Sequence, residues 1–298
     1  MQKQSTRHIL LTEPVNFYGN QQTMPTNEYQ HENPEDISRI KQSARQEFRL
    51  LRDALVNHGI IVTSVKGQHE CPDDVFCNNW TSTHQDGRIV LYSMLAENRR
   101  PERRQDVIDL LEKTYDIALD LGRFQNEGQH LESTGSLVLD RVHKVAYGTL
   151  SARTDKKLAE YWAGEMGYRL HLFNTKGKSG KPIYHTDVLM YIGTEYAGIC
   201  SECIDADERE DIVRTLSSTH EIIDLSLDQI SHFCGNALEV VGENEKRYLV
   251  MSEQAHNAYT SDQLNVIRKY TSGVIYSPLD TIEKYGGGSA RCMMLELH

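Results

Sequence analysis

The sequence predicts an α/β fold built from repeated small units. Five stretches carry apolar residues at spacings of three and four, and each is followed within a few residues by a short apolar run that reads as a strand. The helix-then-strand unit recurs at intervals of about fifty residues, the upper end of the periods that mark solenoids and propellers. Extra strands at 137–139 and 188–192 lie between the units, which share no clear sequence repeat.

In chain order, His8-Ile9-Leu10-Leu11 is a short apolar strand ended by Glu13-Pro14. Residues 16–30 are rich in Asn, Gln, Tyr and Phe without periodicity, the composition of a surface loop. Pro34-Glu35-Asp36 opens a helix acidic end first, as the helix dipole favours. Ile37, Ile40, Ala44, Phe48, Leu51 and Leu55 continue it, Gly59 stops it, and Ile60-Ile61-Val62 is a strand. A second helix is expected over 102–121. A third, over 155–166, precedes the strand Tyr168-Leu170-Leu172, and a fourth, over 206–216, precedes Ile222-Ile223. A fifth, over 261–270, precedes Val274-Ile275. The stretch Gly286-Gly287-Gly288-Ser289-Ala290-Arg291-Cys292 then delivers one cysteine to the mouth of the strand Met293-Met294-Leu295-Glu296-Leu297, with glycines free to take φ > 0 and to let a neighbour approach.

A chain of 298 residues can bury a large core as one sizeable domain or two small ones. The net charge of -11 argues against a nucleic-acid surface, which needs a clustered basic face. The one dense basic run, Arg99-Arg100-Pro101-Glu102-Arg103-Arg104, is broken by Pro and Glu and suits a small anion or solvent. No apolar run is long enough for a membrane helix, and the N-terminus shows no secretion signal. Six cysteines in a chain this long make no disulfide framework, so reduced thiols in the cytoplasm are expected. Cys200 and Cys203 lack a second pair that would complete a zinc site and are read as packing residues.

Four polar motifs interrupt or border apolar strands. Asp73-Asp74-Val75-Phe76-Cys77-Asn78-Asn79-Trp80 sets acids and amides around a small apolar core. Glu132 stands just before the strand at 137–139, and His185 and Asp187 stand before 188–192, two apart and so on one side of an extended chain. Cys292 is the fourth. Each alone reads as a satisfied turn or a buried thiol. Together they supply a thiol, an imidazole and carboxylates, a set that can hold and attack a planar, nitrogen-rich carbon. The glycine cluster is a poor phosphate loop, because a strand and not a helix follows it.

Through Phe17, Asn20, Asn27, Tyr29-Gln30, the Asp73–Trp80 motif, the Asn98–Arg104 run and Gly286-Gly287-Gly288-Ser289 with Arg291-Cys292-Met293, the chain resembles the guanidino-group-modifying superfamily. That superfamily includes arginine deiminases, dimethylarginine hydrolases, amidinotransferases and arginine dihydrolases, and the resemblance is nearest to bacterial citrulline utilization hydrolases. It implies a five-bladed α/β propeller, the pentein fold, with pseudo-fivefold ββαβ units and one catalytic domain over residues 1–298. It further implies Cys292 as nucleophile, His185 as general acid/base and Glu132 as the carboxylate gripping the substrate's terminal nitrogens. Asp187 and Asn27 become substrate contacts, Asp73 and Phe76 line the entrance, and Arg153 binds an α-carboxylate as a bidentate fork. Asn79 stands where deiminases and dimethylarginine hydrolases carry an acid. An amide both donates and accepts hydrogen bonds and so suits a neutral ureido group, as in dihydrolases that remove both terminal nitrogens. The implied reaction takes citrulline or arginine to ornithine with ammonia and carbon dioxide released, and needs no metal or organic cofactor. An amidinotransferase, an arginine deiminase and a silent binding propeller are the alternatives. The expected partner is a small amino-acid substrate, with no nucleic acid or membrane, and homo-oligomerisation is left open.

Overall fold

The computed structural model describes residues 2–33 and 36–298, so Pro34 and Glu35 of the predicted helix start lie outside the described residues. Strand β1 (His8–Glu13) leads through a long connection into helix α1 (Ile37–Asn57), whose first turn is capped by the Asp36 carboxylate accepting from Ser38 N at 2.9 Å. Strand β2 (Ile61–Lys66) follows. The next stretch holds β3 (Thr81–Thr83), β4 (Arg88–Leu91), α2 (Gln105–Leu111) and β5 (Asp116–Asp120). After it come α3 (Ser133–Ser136), β6 (Val138–Asp140), β7 (Val145–Thr149), α4 (Lys156–Met166) and β8 (Arg169–Phe173). Then β9 (Met190–Ile192), β10 (Tyr196–Ile199), α5 (Ala206–Ser217) and β11 (Glu221–Asp224) repeat the order. A fifth stretch has α6 (Leu227–Ser231), β12 (Leu238–Val241), β13 (Arg247–Ser252), α7 (Glu253–Ala258), α8 (Ser261–Tyr270) and β14 (Val274–Ser277). Helix α9 (Asp280–Gly286) and strand β15 (Leu295–Leu297) end the chain.

Among the described residues these strands form five three-stranded mixed sheets with one pairing scheme. In each, an antiparallel pair is extended by a third strand parallel to the middle one, reached through a helix. The first sheet is completed by the far end of the chain, where β15 pairs antiparallel with β1. Burial follows the same order. Strands β7, β10 and β12 are buried throughout, whereas the outer parallel strands β2 and β5 are largely exposed. Charged ends such as Lys66, Asp116 and Asp120 blunt those outer edges against further pairing.

Two sequence expectations are corrected. The predicted helix over 102–121 is only α2, because the apolar spacing changes at Thr114 from three and four (Val107, Ile108, Leu111) to two (Ile117, Leu119), which is strand spacing. The polar segment 16–30 is no surface loop: Asn16, Phe17, Asn20, Thr23, Asn27 and Gln30 are all buried. Their amides satisfy backbone groups that the segment would otherwise bury unpaired, as when Gln30 Nε2 donates to Tyr285 O at 2.9 Å.

Helix α9 escapes sequence reading because it is short and a distant residue caps it. The buried Glu47 carboxylate on α1 accepts from Thr281 N at 2.9 Å and Ile282 N at 3.0 Å. At its other end only Gly287 of the three glycines takes φ > 0, at 64°, so the expectation of general backbone freedom narrows to one residue. Gly286 is needed for space: a Cβ there would lie 2.5 Å from Phe76 Cζ. A Cβ at Gly287 would meet Asn27 Nδ2 at 2.5 Å in a left-handed conformation. Gly287→Ala is therefore expected to cost about 1–3 kcal/mol through strain and overpacking. An unchanged midpoint in urea unfolding would contradict this.

Candidate active site

Each of the five sheets sends side chains to one place from the same position, the turn just before its first inner strand. Asn78 and Asn79 precede β3, Glu132 precedes α3 and β6, and His185 and Asp187 precede β9. Asn236 precedes β12 and Cys292 precedes β15. The turn after Glu132 is strained, with Ser133 at φ 47° and its Oγ donating to Thr81 O at 2.9 Å. Gly135 is obligatory there, since a Cβ would lie 2.5 Å from Asn79 Nδ2 and 2.7 Å from His185 Nδ1.

The Cys292 thiol donates to Asp187 Oδ2 at 3.3 Å and accepts from Asn236 Nδ2 at 3.1 Å. Asn236 also receives Cys292 N on its Oδ1 at 3.3 Å, so one amide fixes both ends of the residue. Burial first, and then the charge of Asp187, push the thiol well above its ordinary 9.0. Burial likewise pushes the Asp187 carboxyl up, against the pull of His185 and Arg291.

His185 Nε2 lies 2.8 Å from Glu132 Oε2. Burial holds the imidazole below 6.5 although Glu132 favours its charged form, so it is neutral at pH 7. With an acceptor at Nε2, that nitrogen carries the proton, and Nδ1 has no partner among the described residues. Burial alone would raise Glu132, but the charge of Arg153, the His185 hydrogen bond and the charge of Arg99 outweigh it. The carboxyl is held well below the usual range. Its other oxygen accepts from Leu95 N at 3.1 Å.

Two buried arginines complete the wall. Arg153 Nη1 is 3.5 Å from Glu132 Oε2, its Nη2 donates to Thr26 Oγ1 at 3.0 Å, and its guanidinium lies 4.7 Å over the Tyr184 ring. Arg99 is gripped by Glu102 at 2.8 and 2.9 Å and donates to Asn79 Oδ1 at 3.1 Å. Thr23, Asn27, Asp73, Phe76, Asn79, Arg99, Arg153, Tyr184, His185 and Cys292 line one cavity of about 240 Å³, counting the empty space out to its mouth.

All nine candidate residues of the sequence analysis meet here, each in its own way. Cys292, His185, Asn79, Asp73, Phe76, Arg153 and Asn27 face the cavity. Glu132 stands behind His185, and Asp187 stands behind Cys292. Asp73 is buried, with Oδ2 receiving Asn20 Nδ2 at 2.8 Å, and Asn27 Nδ2 donates to Gly287 O at 3.2 Å. The extended reading of His185 and Asp187 is corrected: Thr186–Val188 is a 3-10 turn, which sends His185 to Glu132 and Asp187 to Cys292. Asn78 is wholly buried behind Asn79, with Nδ2 on Asp187 Oδ2 at 3.2 Å, so Asn79 is the amide at the cavity.

Sequence reading missed Arg99, Asn236, Tyr184 and Thr23. Arg99 was seen only within a basic run read as suiting a small anion or solvent, without a place of its own in the site. Asn236 had a usable signal, since it occupies in the fifth unit the place that bears chemistry in the other four. Cys200 and Cys203 pack in the core, with the Cys203 thiol donating to Cys200 O at 3.0 Å. All six cysteines are free. Among the described residues a group with metal-ligand spacing is formed by Asp140, His143 and His220, away from this cavity. No helix is long and apolar enough to cross a membrane.

The chain belongs to the guanidino-group-modifying superfamily. The family model described as "N,N dimethylarginine dimethylhydrolase, eukaryotic" matches residues 13–298, and the chain belongs to that family, whose members are hydrolytic enzymes acting on C–N bonds. Similar solved structures include the N-terminal domain of the arginine dihydrolase ArgZ, from the ornithine–ammonia cycle in cyanobacteria, bound to substrate. It has a TM-score of 0.76 at 16% identity, with 97% of each chain covered. Unliganded AgrE gives 0.77 at 18% identity over 98% of this chain and 39% of that one. A dimethylarginine dimethylaminohydrolase adduct with S-methyl-L-thiocitrulline gives 0.66 at 16% identity over 100% of both chains. The chain spans about two fifths of full-length ArgZ, covering 40% of it. A search of curated protein sequences gives no match.

The raised thiol sets a measurable expectation. In substrate-free protein, alkylation of Cys292 by iodoacetamide should be slow at neutral pH and should climb only as pH passes above 9.0. Rapid modification of Cys292 at pH 7, followed by peptide mass spectrometry, would show that a thiolate already stands there.

Proposed function

We propose that the chain hydrolyses the terminal C–N bonds of a small ureido or guanidino amino acid, and that it carries citrulline or arginine through to ornithine, releasing ammonia and carbon dioxide. The observation that carries this reading is Asn79, a neutral amide at the cavity wall whose orientation Arg99 and Asn78 fix. An amide accommodates the uncharged ureido group, so hydrolysis need not stop at citrulline.

In the proposed reaction the substrate carbon sits over Cys292. Binding displaces water and draws the thiol proton to His185, whose imidazolium Glu132 stabilises from 2.8 Å. Sulfur attacks the ureido carbon, ammonia leaves with the proton from His185, and a thiocarbamate remains on Cys292. Water attacks that intermediate with His185 as base. The carbamate so released loses carbon dioxide to give ornithine. With arginine, a first round through a thiouronium forms citrulline in the same way. Arg153 serves as the anchor of the α-carboxylate, its guanidinium carbon held 4.7 Å over the Tyr184 ring.

The five sheets are read as blades of a closed five-bladed propeller, one catalytic unit over 1–298. Support comes from the shared pairing scheme, the return of β15 to β1, and the convergence of five equivalent turns on one cavity. Six free thiols fit a reducing compartment, the cytoplasm.

Purified protein incubated with citrulline, arginine and N,N-dimethylarginine should release ammonia and ornithine from one or both of the first two. Cys292→Ser should abolish turnover at unchanged thermal stability, because the hydroxyl is a far weaker nucleophile. Dimethylamine release from dimethylarginine as the sole activity would replace this reading, and an active serine variant would remove the covalent step.

A second expectation concerns product choice. Asn79→Asp places an anion beside Arg99, where it complements a guanidinium and cannot donate to a ureido oxygen. The variant should release citrulline from arginine and lose most of its action on citrulline. An unchanged ornithine-to-citrulline ratio, resolved by chromatography, would sink the role given to Asn79.

A further inference from the structure

Behind the turn that carries Cys292 lies a second pocket, which shares no lining residue with the substrate cavity. Gln4, Arg141, Met190, Tyr191, Arg291 and Glu296 line it. Two guanidiniums there meet one carboxylate oxygen: Arg291 Nη2 lies 2.8 Å and Arg141 Nη2 3.4 Å from Glu296 Oε2. Arg141 and Arg291 are only 3% and 7% exposed. Beyond Glu296, the chain gives each arginine one carbonyl, Thr83 O to Arg141 at 3.2 Å and Met294 O to Arg291 at 2.8 Å. A guanidinium's fork of N–H donors outnumbers two acceptors, so both have donors to spare.

The charges are unequal as well. His298 Nε2 touches the other oxygen of Glu296 at 3.3 Å, and burial lowers its pKa to about 4, so it is neutral at pH 7. The next acid, Asp187, is hydrogen-bonded to Cys292 and to neither arginine. Two guanidiniums therefore share one directly bonded carboxylate in a site largely closed to water, while Asp187 feels the charge of Arg291 without a hydrogen bond to it. Gln4 braces the wall, with Nε2 donating to Leu139 O at 2.9 Å and Ile192 O at 3.1 Å while Oε1 accepts from Arg141 N at 2.8 Å.

We propose that this pocket binds a small oxyanion, of the size of inorganic phosphate or bicarbonate, between Arg141 and Arg291. The anion takes the guanidinium donors that Glu296 leaves. Because Arg291 precedes Cys292, the ligand also steadies the turn that presents the thiol.

The test is calorimetric titration of the whole protein with sodium phosphate and, separately, with sodium bicarbonate at constant ionic strength. Saturable binding of at least one, with a Kd of about 1 mM or tighter, is expected, and which one saturates identifies the source. Arg141→Met should weaken it by tenfold or more. Glu296→Gln removes the competing acid and should tighten binding, an effect of opposite sign that a damaged fold would not produce. Absence of saturable binding of either anion to the folded wild-type protein overturns the proposal. So does binding that Arg141→Met leaves unchanged, or that Glu296→Gln leaves unchanged or weaker.

Discussion

A carboxylate kept ionised where no water reaches it is the constraint on which the site depends. Glu132 is fully buried, and burial alone would push its carboxyl up toward the protonated form. Leu95 N, His185 Nε2 and the charges of Arg153 and Arg99 hold it as an anion. Leaving such a charge without a partner costs about 3–5 kcal/mol, which is a large part of the stability of a domain. The arginines are therefore structural as much as functional. Each is itself held from behind, Arg99 by the Glu102 fork and Arg153 by Thr23, Thr26 and Tyr184.

The same burial sets Cys292 and His185 to their neutral forms. A separated thiolate–imidazolium pair would add two charges to an interior that already holds Glu132, Arg99 and Arg153, and the desolvation cost exceeds what Asn236 and Glu132 return. The segment around Thr23 and Asn27 matters for this reason: it is packed over the cavity and excludes the water that would otherwise solvate the thiol.

Much of this was legible in the sequence, and the losses have physical causes. Helices α1, α4, α5 and α8 announced themselves because each packs one apolar stripe on a sheet, which imposes a spacing of three and four. Helix α9 did not, since its stability comes from Glu47 more than two hundred residues away. The chemistry-bearing side chains were legible as polar residues beside buried strands, where an unexplained carboxylate or imidazole stands out. Which way they turned was not, because the 3-10 turn at Thr186–Val188 and the positive φ at Ser133 are imposed by packing between units. The roles of Arg99 and Asn236 were not legible for the related reason that their partners, Glu132 and Cys292, come from other units of the chain.

Those crossing contacts form a directed chain. Arg99 Nη1 donates to Asn79 Oδ1 at 3.1 Å, Asn79 Nδ2 donates to Asn78 Oδ1 at 2.9 Å, and Asn78 Nδ2 donates to Asp187 Oδ2 at 3.2 Å, the oxygen that also receives the Cys292 thiol. An arginine can only donate, and the Asp187 oxygen that receives the thiol accepts, so the ends of the chain dictate the orientation of both amides between them. Asn79 consequently has its carbonyl committed to Arg99 and turns its N–H₂ edge inward. An acid at position 79 would keep Arg99 but face Asn78 Oδ1, acceptor to acceptor, until Asn78 turned over. That reversal would in turn point Asn78 Oδ1 at Asp187 and favour its protonated form further, in the direction burial already pushes it. The residue at 79 thus reaches the Cys292 thiol through two neighbours, and a change there carries with it a change in the acidity of Cys292.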